Sequence, residues 1–207
     1  RTALFGESTR LIPIPKEIGH ITRITARGIH SPMSMAQPAA SERATLRIGV
    51  VGVGARADIA KHFELPRLNC RITAAADPHP DAEARLPQRL GRSDIKLTRN
   101  VTELIAEGID AALVTSPDDT HAQVTCELLR ARIPVYVEKP LATRMDDAIE
   151  ILRTAYETGT KLYVGHNMRH MDVVRSMRDL IRRGAIGEVK AIWCRHFVGN
   201  GGDYYFK

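Results

Sequence analysis

The 207 residues predict a doubly wound α/β fold on a parallel sheet. Three observations carry that prediction. Short β-branched runs alternate with segments of helical periodicity. The first run opens into a glycine turn. The second ends in an acid at the distance a strand–helix–strand unit requires. Composition agrees, since 43% hydrophobic and 26% charged residues are ordinary for a globular protein and too apolar for a disordered one.

Residues 1–45 precede the patterned region. They open with Arg1, hold Pro13, Pro15, Pro32 and Pro38, and their cations (Arg1, Arg10, Lys16, Arg23, Arg27 and Arg43) outnumber Glu7, Glu17 and Glu42. A secretion signal would need an apolar core of roughly 7–15 residues, and none is present. A twin arginine and a clear amphipathic face are missing too. The segment is read as a disordered extension, or as sequence upstream of a start at Met33 or Met35.

Order begins at Leu46. The run Leu46 to Val53 suits a buried parallel strand. It leads into Gly52-Val53-Gly54-Ala55-Arg56-Ala57, which fits G-x-G-x-x-G/A. In that pattern the first glycine allows the turn, and the second lets backbone approach a pyrophosphate. The small third residue lets the next helix pack on its strand. A helix from near Arg56 then points free N–H groups and its positive end at the phosphates. Alone the motif is weak, because glycine turns often merely end strands. A second strand, Cys70 to Asp77, ends in a carboxylate about 20 residues past the motif, where the acid accepting the ribose hydroxyls belongs. Asp77 repels a 2′-phosphate, which favours NAD, while Arg56 and His79 are nearby cations that leave NADP open.

Asn100-Val-Thr-Glu103 reads as a capping box opening a short helix that stops at Gly108. Ala111 to Ser116 is a buried strand, and Thr120-His-Ala-Gln123 is a second capping box whose helix runs to about Arg132. Val135 to Glu138 is the next strand. Thr143 caps a helix predicted to bury Ala148, Ile149, Leu152, Ala155 and Tyr156, closed by Gly159. Lys161 to Gly165 is a further strand. A last helix is predicted to bury Val173, Val174, Met177, Leu180 and Ile181 and to end at Gly184. In such sheets ligands sit beyond the carboxyl ends of the strands. That rule selects 52–56, Asp77, 116–121, 138–140 and 166–169.

Other function classes lose ground. The net charge of +6 makes nucleic acid worth checking, but the cations are scattered and aromatics are only 5%, so no binding stripe emerges. No run approaches the roughly 18 apolar residues of a membrane span. Cys70, Cys126 and Cys194 are odd in number and far apart, which fits neither a disulfide framework nor a zinc site and points to a reducing cytoplasm. His166 and His170 have ligand spacing without a third ligand, so a capping or packing role is expected and no metal. Arg178, Arg182 and Arg183 read as a solvated helix face, and Cys126 as a small core residue.

Glu138-Lys139-Pro140, with the glycine turn, Thr115 to His121 and Gly165-His-Asn-Met-Arg169, resembles the glucose–fructose oxidoreductase/inositol dehydrogenase (Gfo/Idh/MocA) family over about residues 47–198. The resemblance implies an NAD(P)-dependent oxidoreductase acting on a sugar, polyol or related hydroxyl compound. Lys139 matches the lysine beside nicotinamide and substrate. Glu138 matches the residue touching cofactor ribose. Ser116 and Pro117 match the segment lying along the cofactor, and Asp118 replaces the usual Asn. His121 matches the histidine opening the next helix. Asn167 and Arg169 match the segment leading toward the nicotinamide pocket. With Gly52, Gly54, Ala55, Arg56 and Asp77 these form the expected cofactor site, and Lys139 is the expected catalytic residue. A lysine there shares a proton with a reacting hydroxyl or stays charged and polarises a carbonyl.

The expected organisation is an extension (1–45), a Rossmann domain (46–170) and the start of a truncated α+β substrate domain (171–207), whose first strand is Val189 to Val198. In the family that domain carries most substrate contacts and the homo-oligomer interface. Two alternatives stay open: an NAD-dependent glycosidase of the same fold, and a non-catalytic nucleotide-binding module or inert fragment.

Overall fold

Six short runs rich in Val, Ile, Leu and Ala pair into one parallel sheet in the order β3-β2-β1-β4-β5-β6. The computed structural model describes residues 45–65 and 68–195. The expectations for 1–44 and for 196–207 lie outside them. The strands are β1 (Leu46–Val51), β2 (Cys70–Ala76), β3 (Lys96–Thr98), β4 (Ala111–Val114), β5 (Val135–Glu138) and β6 (Leu162–Gly165). The order reverses between β1 and β4, which opens a crevice at the carboxyl ends of those two strands. The predicted doubly wound parallel sheet is therefore what forms. Val50 pairs with Ala75 and Leu113, so β1 is buried between neighbours on both edges.

Alternation along the strands sends side chains to two cores. On one face Val51, Ala76, Val114 and Val137 pack under α2 (Val101–Ala106), α3 (His121–Arg130) and α4 (Met145–Thr158). On the other, Val50, Ile72 and Leu113 meet Ala57 and Ala60 of a 3₁₀ helix (Ala55–His62) and Leu86 and Leu90 of α1 (Ala82–Leu90). Toward β5 and β6 that second face opens, with Tyr136 half-buried and Tyr163 exposed. A groove of about 470 Å³ lies there, walled by Ile48, Phe63, Leu113, Tyr136, Leu162 and Tyr163.

Several local expectations are corrected. The helix after the glycine turn is 3₁₀ rather than α. Its buried residues, Ala57 and Ala60, are three apart, which matches a helix whose i and i+3 side chains eclipse. Thr120 makes no capping bond to the helix it precedes, because its hydroxyl donates to Pro117 O at 2.7 Å and meets Ser116 Oγ at 2.7 Å. Asn100 does cap α2, accepting from Glu103 N at 2.9 Å. On α4 it is Ile151 and Thr154 that are buried, while Leu152 and Tyr156 are exposed. The stripe therefore sits one residue round from the predicted face.

The last helix, α5 (Asp172–Arg182), forms as predicted, yet Val173, Val174, Met177, Leu180 and Ile181 are not buried. Residues 189–195 form no strand, and the rest of the predicted strand lies outside the described residues. Cys126 is buried against Thr154, as expected. Arg178, Arg182 and Arg183, on α5 and at its end, are exposed, as predicted.

Candidate cofactor-binding site

The first turn of the site is set by two glycines with different reasons to be glycine. Gly52 has φ +88°, and a Cβ there would lie 2.6 Å from the backbone of Ser116. Its backbone thus rests directly on the loop after β4, and no larger residue fits. Gly54 has φ −88° and ψ −164°, and a Cβ on it would meet nothing within 4 Å. Nothing among the described residues demands glycine at 54, whereas a ligand approaching the backbone would.

Neighbouring strands brace this turn. Thr115 Oγ1 donates to Gly52 O at 2.8 Å from the end of β4. Asp77, just past β2, accepts from Val53 N on Oδ2 and from His79 N on Oδ1, both at 2.8 Å. Its own N–H donates to Thr98 O at 3.0 Å, which ties in the end of β3. The N–H groups of Gly54, Ala55 and Arg56 find no acceptor among the described residues, as expected for the first turn of a helix. These three N–H groups and the open space over Gly54 form a cradle suited to a pyrophosphate.

Across the crevice stands the end of β5. Glu138 is only 3% exposed, and Arg56 Nη2 bridges to its Oε1 at 2.9 Å. The other oxygen, Oε2, is buried without a hydrogen-bond partner among the described residues. An unpaired buried carboxylate oxygen is costly and rare. It marks a place where a hydroxyl-bearing ligand would complete the structure. Lys139 is exposed and makes no ion pair among the described residues, and the Lys139–Pro140 peptide is cis.

His121 is fully buried between the loops after β4 and β5. Its Nδ1 lies 2.7 Å from Pro140 O and its Nε2 3.1 Å from Ser116 O. The ring therefore fixes the two loops that carry Ser116, Pro117 and Lys139, and it presents no atom to a cofactor. Pro117 is exposed and Ser116 half-buried. Asn167 and Arg169 are exposed on a 3₁₀ turn (Asn167–His170) beyond β6 and bond to no other candidate residue. His170 Nε2 meets Tyr163 OH at 2.6 Å, so it has a packing partner. The structure thus gathers the glycine turn, Asp77, Ser116, Glu138 and Lys139 around the crevice and leaves Asn167 and Arg169 at its edge. Sequence reasoning missed the Arg56–Glu138 bridge. Opposite charges on two motifs of the same crevice were the available signal.

The profile of the Gfo/Idh/MocA oxidoreductase family, NAD-binding Rossmann fold, matches residues 46–166. The chain belongs to this family. The Gfo/Idh/MocA segment is 31% identical over 155 residues to an inositol 2-dehydrogenase of Gluconacetobacter diazotrophicus, covering 73% of this chain and 46% of that protein. It is 36% identical over 104 residues to a 1,5-anhydro-D-fructose reductase of Ensifer adhaerens, covering 50% of this chain and 31% of that one. Among solved structures, scyllo-inositol dehydrogenase from Lactobacillus casei, with bound NAD(H) and scyllo-inositol, superposes with a TM-score of 0.62 at 23% identity, over 70% of this chain and 43% of that one. That likeness speaks to the fold. The chain spans less than half the length of these relatives. What matches is an NAD-binding Rossmann fold, and the residues in the crevice fit such a cofactor.

Proposed function

We propose that this chain is the cofactor-binding part of an NAD(P)-dependent oxidoreductase acting on the CH–OH group of a sugar, polyol or related compound. The observation that carries the reading is the crevice itself: open backbone over Gly54 on one side, and an unpartnered buried Glu138 oxygen beside an exposed lysine on the other. The names of the relatives, inositol 2-dehydrogenase and 1,5-anhydro-D-fructose reductase, support the substrate class. Residues 46–170 form the nucleotide-binding domain in this reading, and 171–207 lead into a substrate domain that also carries a homo-oligomer interface. The setting is the cytoplasm. No helix among the described residues is long and apolar enough to cross a membrane.

Bound nicotinamide supplies the hydride chemistry. The glycine turn and the N–H groups of Ala55 and Arg56 hold the pyrophosphate, and Asp77 accepts from the adenosine ribose. Ser116 and Pro117 line the path between the two ends, with Asn167 and Arg169 at the rim. Glu138 Oε2 accepts from the nicotinamide ribose, while Arg56 neutralises the same carboxylate from its other oxygen. Lys139 acts on the substrate. Its Nζ has no partner among the described residues to compete for its protons, so it is free to exchange one with the reacting hydroxyl or to polarise the carbonyl formed. His121 keeps Lys139 in place by holding Pro140 O. The test is Lys139→Ala in the protein carrying its substrate domain. Turnover should fall by about two to four orders of magnitude, the usual worth of acid–base catalysis, with NADH affinity within a few-fold. Unchanged turnover refutes the role of Lys139.

A further inference from the structure

Arg56 stands at both sides of the crevice. Its backbone N–H is one of the three free donors of the cradle, and its guanidinium ends on the buried acid opposite. β5 lies two strands from β1, with β4 between them, a separation of roughly 10 Å at ordinary strand spacing. The side chain therefore crosses the end of β4, along the route from the cradle to Glu138. Only Nη2 is engaged. It bridges to Glu138 Oε1 at 2.9 Å, and this side chain makes no other ion pair or hydrogen bond among the described residues. The two partners differ in exposure, with the arginine side chain 50% exposed and the glutamate side chain 4%. One edge of the planar group thus meets the acid, and an outer edge stays open. Holding Oε1 also keeps the carboxylate from turning, so that Oε2 remains buried and unpaired.

We propose that Arg56 is a two-sided clamp: with Nη2 kept on Glu138, the free N–H groups of the same guanidinium donate to the pyrophosphate seated on the cradle. Arginine carries its donors in a rigid planar fork, so one group can serve a carboxylate on one edge and a phosphate on another. The seating of the pyrophosphate and the aim of Glu138 Oε2 then depend on a single side chain, which couples the phosphate end of the cofactor to its nicotinamide ribose. The proposal rests on the dinucleotide reading above and adds a side-chain contact to the backbone cradle and the carboxylate that reading uses.

The experiment titrates the chain with 5′-AMP, ADP and NADH by isothermal calorimetry. ADP carries the pyrophosphate without the nicotinamide ribose, so it reads the outer edge of Arg56 apart from Glu138. In Arg56→Met the affinities for ADP and NADH should fall by about ten-fold or more, the worth of one charge-assisted hydrogen bond, with 5′-AMP within about two-fold. Arg56→Lys, which keeps the charge and loses the fork, should fall between for ADP. Arg56→Met leaves a buried carboxylate unpaired, which destabilises the fold. The comparison is therefore repeated between Glu138→Gln and the double variant Glu138→Gln/Arg56→Met, where no buried charge is orphaned, and ADP should lose the same factor there. ADP affinity that survives the loss of Arg56 in both backgrounds overturns the proposal, leaves the dinucleotide reading standing and makes Arg56 a partner of Glu138 alone. Equal losses for all three ligands also overturn it, by making Arg56 a support of the turn. Failure of the unsubstituted chain to bind NADH removes the dinucleotide reading as well.

Discussion

Replacing the two turn glycines separately with alanine should divide folding from binding. At Gly52 the backbone sits at φ +88°, and a methyl group would stand 2.6 Å from the Cα and N of Ser116. The left-handed conformation costs an L-residue about 1–2 kcal/mol. Overpacking against backbone that cannot rotate away adds roughly 1–3 kcal/mol. Gly52→Ala should therefore lose about 2–5 kcal/mol, and at about 2–4 °C per kcal/mol for a domain of this size its melting temperature should fall by roughly 4–20 °C. Gly54→Ala is the opposite case. Its φ of −88° and ψ of −164° suit any residue, and the methyl group meets nothing. Such a change stabilises by about 0.4–1 kcal/mol through the unfolded chain. The same methyl group occupies the space over the N–H cradle, so NADH affinity should fall by about ten-fold or more. Thermal unfolding by circular dichroism and a fluorescence titration with NADH read the two effects independently. A Gly54→Ala protein that melts lower, or that binds NADH unchanged, refutes the assignment of the cradle. A Gly52→Ala protein of full stability refutes the steric account of the turn.

Other perturbations test the braces around the crevice. Asp77→Ala strips the acceptor from Val53 N, the backbone donor of a fully buried residue, and an orphaned buried donor costs about 1–3 kcal/mol; unfolding in urea should show that loss, with unchanged stability counting against the brace. His121→Ala frees both Ser116 O and Pro140 O, so NADH affinity should drop along with stability, and His121→Gln should recover part of each. Far from the site, Arg92 hydrogen-bonds Asp94 and holds its carboxyl down to about 2. The folded value lies below the unfolded one, so this contribution is present above about pH 4 and is lost as pH falls through about 2. Arg92→Met should flatten the acid limb of stability across that window, and an unaltered limb would exclude the pair as its source. Burial raises the Cys126 thiol, so iodoacetamide should modify exposed Cys194 in the native protein and Cys126 only on unfolding.

The sheet was legible because its strands are period-2 or continuous apolar runs with sharp punctuation, as at Gly52, Pro134 and Gly165. The segment between Asp77 and Asn100 was not. Pro78, Pro80 and Pro87 mask a helix that buries Ala82, Leu86 and Leu90. Pro87 is tolerated there because the N–H it lacks would have met the carbonyl of Glu83, an exposed residue. β3 is three residues long at the sheet edge, too short for any period to register. On α4 the helical pattern was right and its phase was wrong. Leu152 and Tyr156 look like core by composition, yet Ile151 and Thr154 face the sheet. On α5 amphipathicity was legible, but a pattern of residues states which face is apolar and never that something covers it.

The site divides by how much hydrogen-bonding capacity each group has left. Thr115, Asp77 and His121 direct their polar atoms at backbone groups of the glycine turn and of the loops after β4 and β5. They are motif residues whose first task is to hold other motif residues. Beside the outer edge of the Arg56 guanidinium, free capacity remains in four places among the described residues: the N–H groups of Gly54, Ala55 and Arg56, Glu138 Oε2, Lys139 Nζ and Arg85 Nη2. A folded chain seldom leaves buried polar atoms unpaired. Two of these places are single buried atoms, and they stand on either side of β1 and β4: Glu138 Oε2 is an acceptor at the end of β5 beside the lysine, and Nη2 of Arg85, on α1, is a donor 3.9 Å from Asp77 Oδ1 just past β2. A ligand satisfying both must be long, must offer a hydroxyl at one end and an anion or further acceptor at the other, and must pass the open backbone at Gly54 between them. A dinucleotide meets each of those conditions, and a mononucleotide can reach only one end. The adenosine fragments 5′-AMP and 2′,5′-ADP should therefore bind far more weakly than NADH or NADPH, and Glu138→Gln should weaken the dinucleotides while leaving the fragments unchanged.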